Sequence, residues 1–122
     1  MTRVLIVDDE PMILEVAQMS LELAGWQVTT ANGGEEGLAK AAAEQPDAVL
    51  MDVMMPGMDG PTTCLRMAAD PRTSGIPVVL LTAKVQPADR QEWADLPIKG
   101  VLRKPFDPFA LAQDVARLLG WS

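Results

Sequence analysis

Three stretches of this 122-residue chain, Val4-Leu5-Ile6-Val7, Ala48-Val49-Leu50-Met51 and Val78-Val79-Leu80-Leu81, are apolar at every position. Short runs of this kind read as strands covered on both faces, the condition of the central strands in a parallel sheet. Two further strands are expected at 27–30 and 101–102, and helix-period segments separate the strands at 11–24, 34–44, 61–69, 88–96 and 107–119. Strands alternating with helices predict an α/β fold, a five-stranded doubly wound parallel sheet of (βα)5 form with strand order 2-1-3-4-5. One domain is expected over residues 1–122. Gln27-Val28-Thr29-Thr30 alternates polar and apolar residues, which places it at an edge.

Local punctuation supports the helices. Pro11 suits a first turn and Gly25 a stop, and Met12, Val16, Met19 and Leu23 form an apolar stripe at helical spacing. Pro61 opens the third helix, and Pro87 precedes the fourth. Asp107 is placed as an N-cap of the fifth helix, with Pro108 at its first position and Gly120 as its end. Met12, Met19, Met51 and Met67 are expected in the core, whereas Met55 and Met58 stand in the loop after the third strand. Cys64 reads as a small buried residue. Trp93 is either a packing residue or part of a contact surface, and Trp121 packs the terminus.

Composition narrows the function. Hydrophobic residues make up 48% and charged residues 22%, as in ordinary globular proteins. The net charge of −7 argues against a nucleic-acid surface and against anionic membranes. Val4–Val7 is too short for the apolar core of a signal peptide, and no run approaches the ~20 residues of a membrane span. With no histidine and one cysteine, zinc sites and Ser-His or Cys-His hydrolases are excluded. A lone Cys64 fits a reducing cytoplasm.

The chemistry lies at the strand ends. Asp8-Asp9 close the first strand, Asp52 the third, and Lys104 follows the fifth. In a doubly wound sheet the ligand crevice lies outside the carboxyl ends of the strands where their order reverses, between strands 1 and 3. Carboxylates ~5 Å apart at an effective dielectric of ~20 repel by roughly 3 kcal/mol per pair, so the cluster calls for a divalent cation. Taken singly, Asp8-Asp9 read equally as solvated strand-end acids and Lys104 as a surface lysine; together with Thr82 they form a constellation. Asp59-Gly60 reads as a turn opening the third helix, and Glu10 as a charge at a helix N-terminus.

Four segments, Val7-Asp8-Asp9-Glu10-Pro11, Met51 to Gly60 (MDVMMPGMDG), Leu81-Thr82-Ala83 and Arg103-Lys104-Pro105-Phe106, resemble the receiver domain of two-component response regulators over residues 4–119. The resemblance implies a flavodoxin-like fold and a phosphorylation switch of the stand-alone, chemotaxis-regulator type. It implies Asp52 as phosphoacceptor from a sensor histidine kinase or a histidine phosphotransfer protein. Mg²⁺, with Mn²⁺ able to substitute, would be held by Asp9 directly, Asp8 largely through water, Asp52, and the Met54 main-chain carbonyl. Thr82 and Lys104 would contact the phosphoryl oxygens, and Lys104-Pro105 would be cis. Output to a downstream protein target would pass through the face formed by the fourth helix, fifth strand and fifth helix.

On this reading the chain is cytoplasmic and no enzyme beyond its own phosphorylation and slow autodephosphorylation. It departs from the family pattern at Val101, where an aromatic residue usually couples to the threonine, so the loop at 83–87 is expected to carry more of the change. Met54 and Lys84 occupy positions that tune phosphoryl lifetime, and a long lifetime is expected. The alternatives are a haloacid-dehalogenase-like phosphatase, disfavoured because Met54 stands where a second aspartate is needed, a flavin carrier of the same fold, lacking the phosphate loop, and a receiver fragment of a larger regulator or hybrid kinase.

Overall fold

The apolar runs form the middle of one sheet. In the computed structural model, which describes residues 1–83 and 93–121, the strands are β1 (Arg3–Val7), β2 (Gln27–Ala31), β3 (Ala48–Asp52), β4 (Val78–Thr82) and β5 (Gly100–Arg103). All pairings are parallel, in the order β2-β1-β3-β4-β5. Every residue of β3 and β4 is buried, whereas β2 and β5, the edges, are mostly half-exposed. Strands hydrogen-bonded on both sides and covered on both faces have no use for polar side chains. The expected topology is the observed one.

The helices described in full are α1 (Pro11–Leu23), α2 (Gly34–Glu44), α3 (Gly60–Ala69) and α4 (Leu111–Leu119). Most of the helix expected at 88–96, together with Lys84 and the loop at 83–87 apart from Ala83, lies outside the described residues. Two cores result. One, on the side of α2 and α3, contains Leu5, Val7, Val49, Met51, Met67 and Leu80. The other, on the side of α1 and α4, contains Val4, Ile6, Leu21, Leu50, Leu81 and Val115. Alternate residues of each strand serve alternate cores, as the pleat dictates. Among the described residues no helix is long and apolar enough to cross a membrane.

Three expectations are corrected. Met12 and Met19 are not in the core: Met12 is 74% and Met19 55% exposed, and Leu23 of the same stripe is 76% exposed. Leu14, Ala17 and Leu21 are the buried face of α1. Both sets repeat at helical spacing, so periodicity alone cannot rank them; packing of Leu14, Ala17 and Leu21 in the core cluster with β1, β3 and β4 does. The last helix begins at Leu111 rather than at Pro108. Asp107 Oδ1 accepts from Phe109 N–H at 2.9 Å and its carbonyl from Ala110 N–H at 3.0 Å, forming a turn ahead of the helix. Ser20 Oγ donates to the Pro108 carbonyl, joining that turn to α1. Asp107 is therefore a turn residue and caps no helix.

Met51, Met67 and Cys64 are buried as expected. Trp93 is buried in the core cluster against which Val101 packs, which decides for its packing role. Trp121 packs edge-on against Trp26, with ring centroids 5.4 Å apart.

Candidate phosphoryl-transfer site

The carboxyl ends of β1, β3, β4 and β5 build the site. Asp8 leaves β1 with its N–H donating to the Ala31 carbonyl (3.1 Å), so the turn starts from a fixed point. Asp8 Oδ1 accepts from Glu10 N–H at 2.9 Å, bending the chain into α1, whose first residue is Pro11. Asp52 is the last residue of β3. The chain after it is held by Val53 N–H on the Leu81 carbonyl (3.0 Å) and Gly60 N–H on the Val53 carbonyl (2.9 Å). Asp59 caps α3, accepting from Thr62 N–H at 2.8 Å. A Cβ on Gly60 would run into the Asp52 carbonyl oxygen and Val53 Cα, so glycine alone lets α3 start this close to the site. Lys104 N–H donates to the Thr82 carbonyl at 2.8 Å, tying the residue after β5 to the last residue of β4. Lys104-Pro105 is cis.

One carboxylate oxygen from each of Asp8, Asp9 and Asp52 lies within 4.8 Å of the others. Asp8 is fully buried, Asp52 is 4% exposed, and Asp9 faces solvent. Lys104 Nζ reaches between the two buried acids, 2.6 Å from Asp8 Oδ2 and 3.0 Å from Asp52 Oδ1. Glu10 Oε1 stands at 3.9 Å from the same ammonium. Thr82 is buried at the end of β4, and its register partner on β5 is Arg103. Met54, two residues past Asp52, is 78% exposed beside the site. The structure thus gathers Asp8, Asp9, Asp52 and Lys104 at one sheet end, with Thr82 and Met54 beside them.

Burial pushes the Asp52 carboxyl up to about 6; the Lys104 hydrogen bond opposes this, and the charges of Asp8 and Asp9 add to it. For Lys104 burial is the largest single influence and acts downward. The hydrogen bonds to Asp8 and Asp52 and their charges together outweigh it and hold the ammonium above its ordinary value. Three hard oxygen donors around a partly open pocket suit a small divalent cation that keeps several waters. An aspartate end beside a cation and an ammonium is equipped to accept a phosphoryl group, since such transfer needs positioning and charge neutralisation.

The family model for the response regulator receiver domain matches residues 4–116. The chain belongs to this family. Among curated receiver proteins it is 41% identical to the DNA-binding dual master transcriptional regulator RpaA of Synechocystis, over 98% of this chain and 49% of that protein. It is 38% identical to protein PilH of Pseudomonas aeruginosa over 98% of both. The solved structure of Vibrio cholerae chemotaxis protein CheY4 superposes with a TM-score of 0.91 at 34% identity, covering 97% of this chain and 98% of that one. The chain thus spans about half the length of one curated receiver relative and nearly the whole of another.

Two features of this receiver domain were not legible beforehand. The requirement for glycine at position 60 arises from an approach between segments, and no local pattern marks it. The outward face of α1 and the fully exposed turn residue Phe109 (92%) put apolar side chains on the surface.

Proposed function

We propose that this receiver domain is a phosphorylation switch in which Asp52 takes a phosphoryl group from a phosphohistidine on a sensor histidine kinase or phosphotransfer protein. The observation that carries the reading is the buried Asp52 carboxylate held 3.0 Å from Lys104 with Asp8 and Asp9 beside it. An Asp52 oxygen attacks phosphorus, the P–O bond forms as the P–N bond breaks, and the departing imidazole keeps the electron pair. Lys104 offsets the charge gathered on the phosphoryl oxygens as a compact ammonium. Thr82 supplies a hydroxyl donor to the same oxygens. Asp8, Asp9, Asp52 and the Met54 carbonyl would hold Mg²⁺ or Mn²⁺, which when bound neutralises charge on the transferring group.

Phosphorylation replaces the single charge of the Asp52 carboxylate by a phosphoryl group carrying roughly 1.5–2 negative charges and three acceptor oxygens, enough to redraw the hydrogen bonds of Lys104 and Thr82. Output passes through protein contact with a downstream target at the face containing β5 and α4. With no acid at position 54, external phosphoesters are not turned over, and slow loss of the phosphoryl group ends the signal. The exposed, apolar Met54 hinders an attacking water and supports a long lifetime.

The exposed stripe of α1 supplies a contact surface for the phosphodonor. An apolar patch rimmed by acids marks an interaction site. The near full-length match to PilH supports a single-domain regulator over residues 1–122, while the partial match to RpaA equally fits a receiver within a larger protein. The test is to incubate the chain with Mg²⁺ and acetyl phosphate and weigh it intact beside Asp52→Ala. A single phosphate adduct on the parent alone is expected. No Asp52-dependent adduct overturns the reading.

A further inference from the structure

The outer edge of β2 is guarded over only part of its length. Gln27 N–H donates to the Thr2 carbonyl and Asp8 N–H to the Ala31 carbonyl, so odd-numbered residues of β2 address β1. The backbone groups of Val28 and Thr30 therefore address the open side. Past Thr30 that side is closed by α2: Lys40 Nζ donates to the Thr30 carbonyl, and Glu36 Oε1 accepts from Asn32 N–H at 2.9 Å. Before Val28, Trp26 N–H is taken by the Leu21 carbonyl at 3.2 Å. Between these guards the Trp26 carbonyl, both backbone groups of Val28 and the Thr30 N–H have no partner among the described residues. Natural sheets usually mask such groups.

The open stretch borders a groove of about 590 Å³ whose lining includes Arg3, Glu22, Trp26, Val28, Thr29 and Glu44. Thr29 Oγ1, in its wall, is buried and without a hydrogen-bond partner, a rare state for a buried hydroxyl. Trp26 is held by its edge-on contact with Trp121 and presents a fixed ring. Charge selects the occupant. The groove lining carries two acids, Glu22 and Glu44, against one basic residue, Arg3, whose guanidinium is already engaged by the Glu44 carbonyl and Gln27 Oε1. A second copy would set one acidic edge against another, while a cationic segment is drawn to Glu22 and Glu44.

We propose that the β2 edge binds an extended, basic segment of a partner protein by strand addition. The segment hydrogen-bonds to Trp26, Val28 and Thr30 through its backbone and alternates its side chains between the Trp26 groove and the acids. This surface lies at the far edge of the sheet from β5 and does not depend on the chemistry of Asp52.

A peptide-display selection against the full chain at low salt tests it. Selected peptides alternate Lys or Arg with β-branched residues, and a synthetic copy of one slows amide exchange at Val28 and Thr30 by about tenfold or more. Val28→Pro, which removes an edge donor, weakens that peptide by about tenfold. The double variant Glu22→Lys, Glu44→Lys, which leaves the backbone untouched, weakens it by about as much and keeps phosphate uptake from acetyl phosphate unchanged. No binders, binders without the basic pattern, protection elsewhere, or binding indifferent to both variants overturns the proposal. A dimer abolished by Val28→Pro assigns the edge to a second copy and overturns the occupant.

Discussion

The ammonium of Lys104 lies 3.0 Å from the Asp52 carboxylate although their strands are not neighbours: β4 runs between β3 and β5. The lysine reaches over the end of β4, where its own N–H is bound to the Thr82 carbonyl, and also holds Asp8 at 2.6 Å. One cation therefore balances two buried carboxylates until another charge enters the site.

Removing that cation leaves both acids uncompensated. Lys104→Met is expected to cost about 3 kcal/mol of stability at pH 7.5 in chelator, in the range for breaking one side of a buried ion pair. The pKa of Lys104 is held above 10.5, so in the parent the contribution persists through neutral pH and is lost only as pH rises past the folded value. Urea unfolding of both proteins checks it, and phosphate uptake from acetyl phosphate falls in parallel. Equal midpoints for the two proteins would show that the pairs contribute nothing.

Asp52 has the opposite sign. Its pKa is raised from 3.8 to about 6 in the fold, so the native state binds the proton more tightly than the unfolded chain. The resulting cost of ionisation appears as pH rises through this window and is fully present above it. Asp52→Asn is therefore expected to be more stable than the parent by roughly 3 kcal/mol at pH 7.5 in chelator, with the gap closing below the lower value. Denaturant melts across this range would show a constant difference if burial of the charge were unimportant.

Gly60 sets how near α3 comes to Asp52. Gly60→Ala places a methyl against the Asp52 carbonyl and is expected to cost about 2–3 kcal/mol, as overpacking against backbone does. It also displaces the loop that carries Met54. Slower phosphate uptake at unchanged Asp52 chemistry, with a lowered melting temperature, is the expected pair of results. Gly75→Ala, where the added Cβ meets nothing within 4 Å, is the control.

The outward stripe of α1 separates donor recognition from chemistry. Met19 is 55% exposed, so Met19→Glu changes stability by no more than about 0.5 kcal/mol. Transfer from a cognate kinase is expected to slow by about tenfold, the effect of one lost apolar anchor, while uptake from acetyl phosphate is unaffected. Equal slowing with both donors would place the fault in the site and not on α1.

Much of this architecture was legible from residues 1–122 because continuous apolar runs admit few arrangements. Val4–Val7, Ala48–Met51 and Val78–Leu81 require cover on both faces, which forces the helices between them to alternate sides and brings Asp8, Asp9 and Asp52 to one end. Asp107 misled because Asp-Pro serves a turn as well as a cap, and the contact between Ser20 and the Pro108 carbonyl is visible only when α1 and the turn meet.

What the sequence determined by itself is the order of strands and helices and the convergence of three acids, a threonine and a lysine at one sheet end, since both follow from local hydrophobic pattern and chain connectivity. Tertiary structure decided which face of α1 turns inward, because Leu14, Ala17 and Leu21 compete with an equally periodic outer stripe and only packing against the sheet ranks them. It also decided that Lys104 pairs with Asp8 as well as Asp52, that Gly60 must lack a side chain, and that the guards on the β2 edge stop at Thr30. Each of these depends on distances between segments remote in the chain, which no local pattern records.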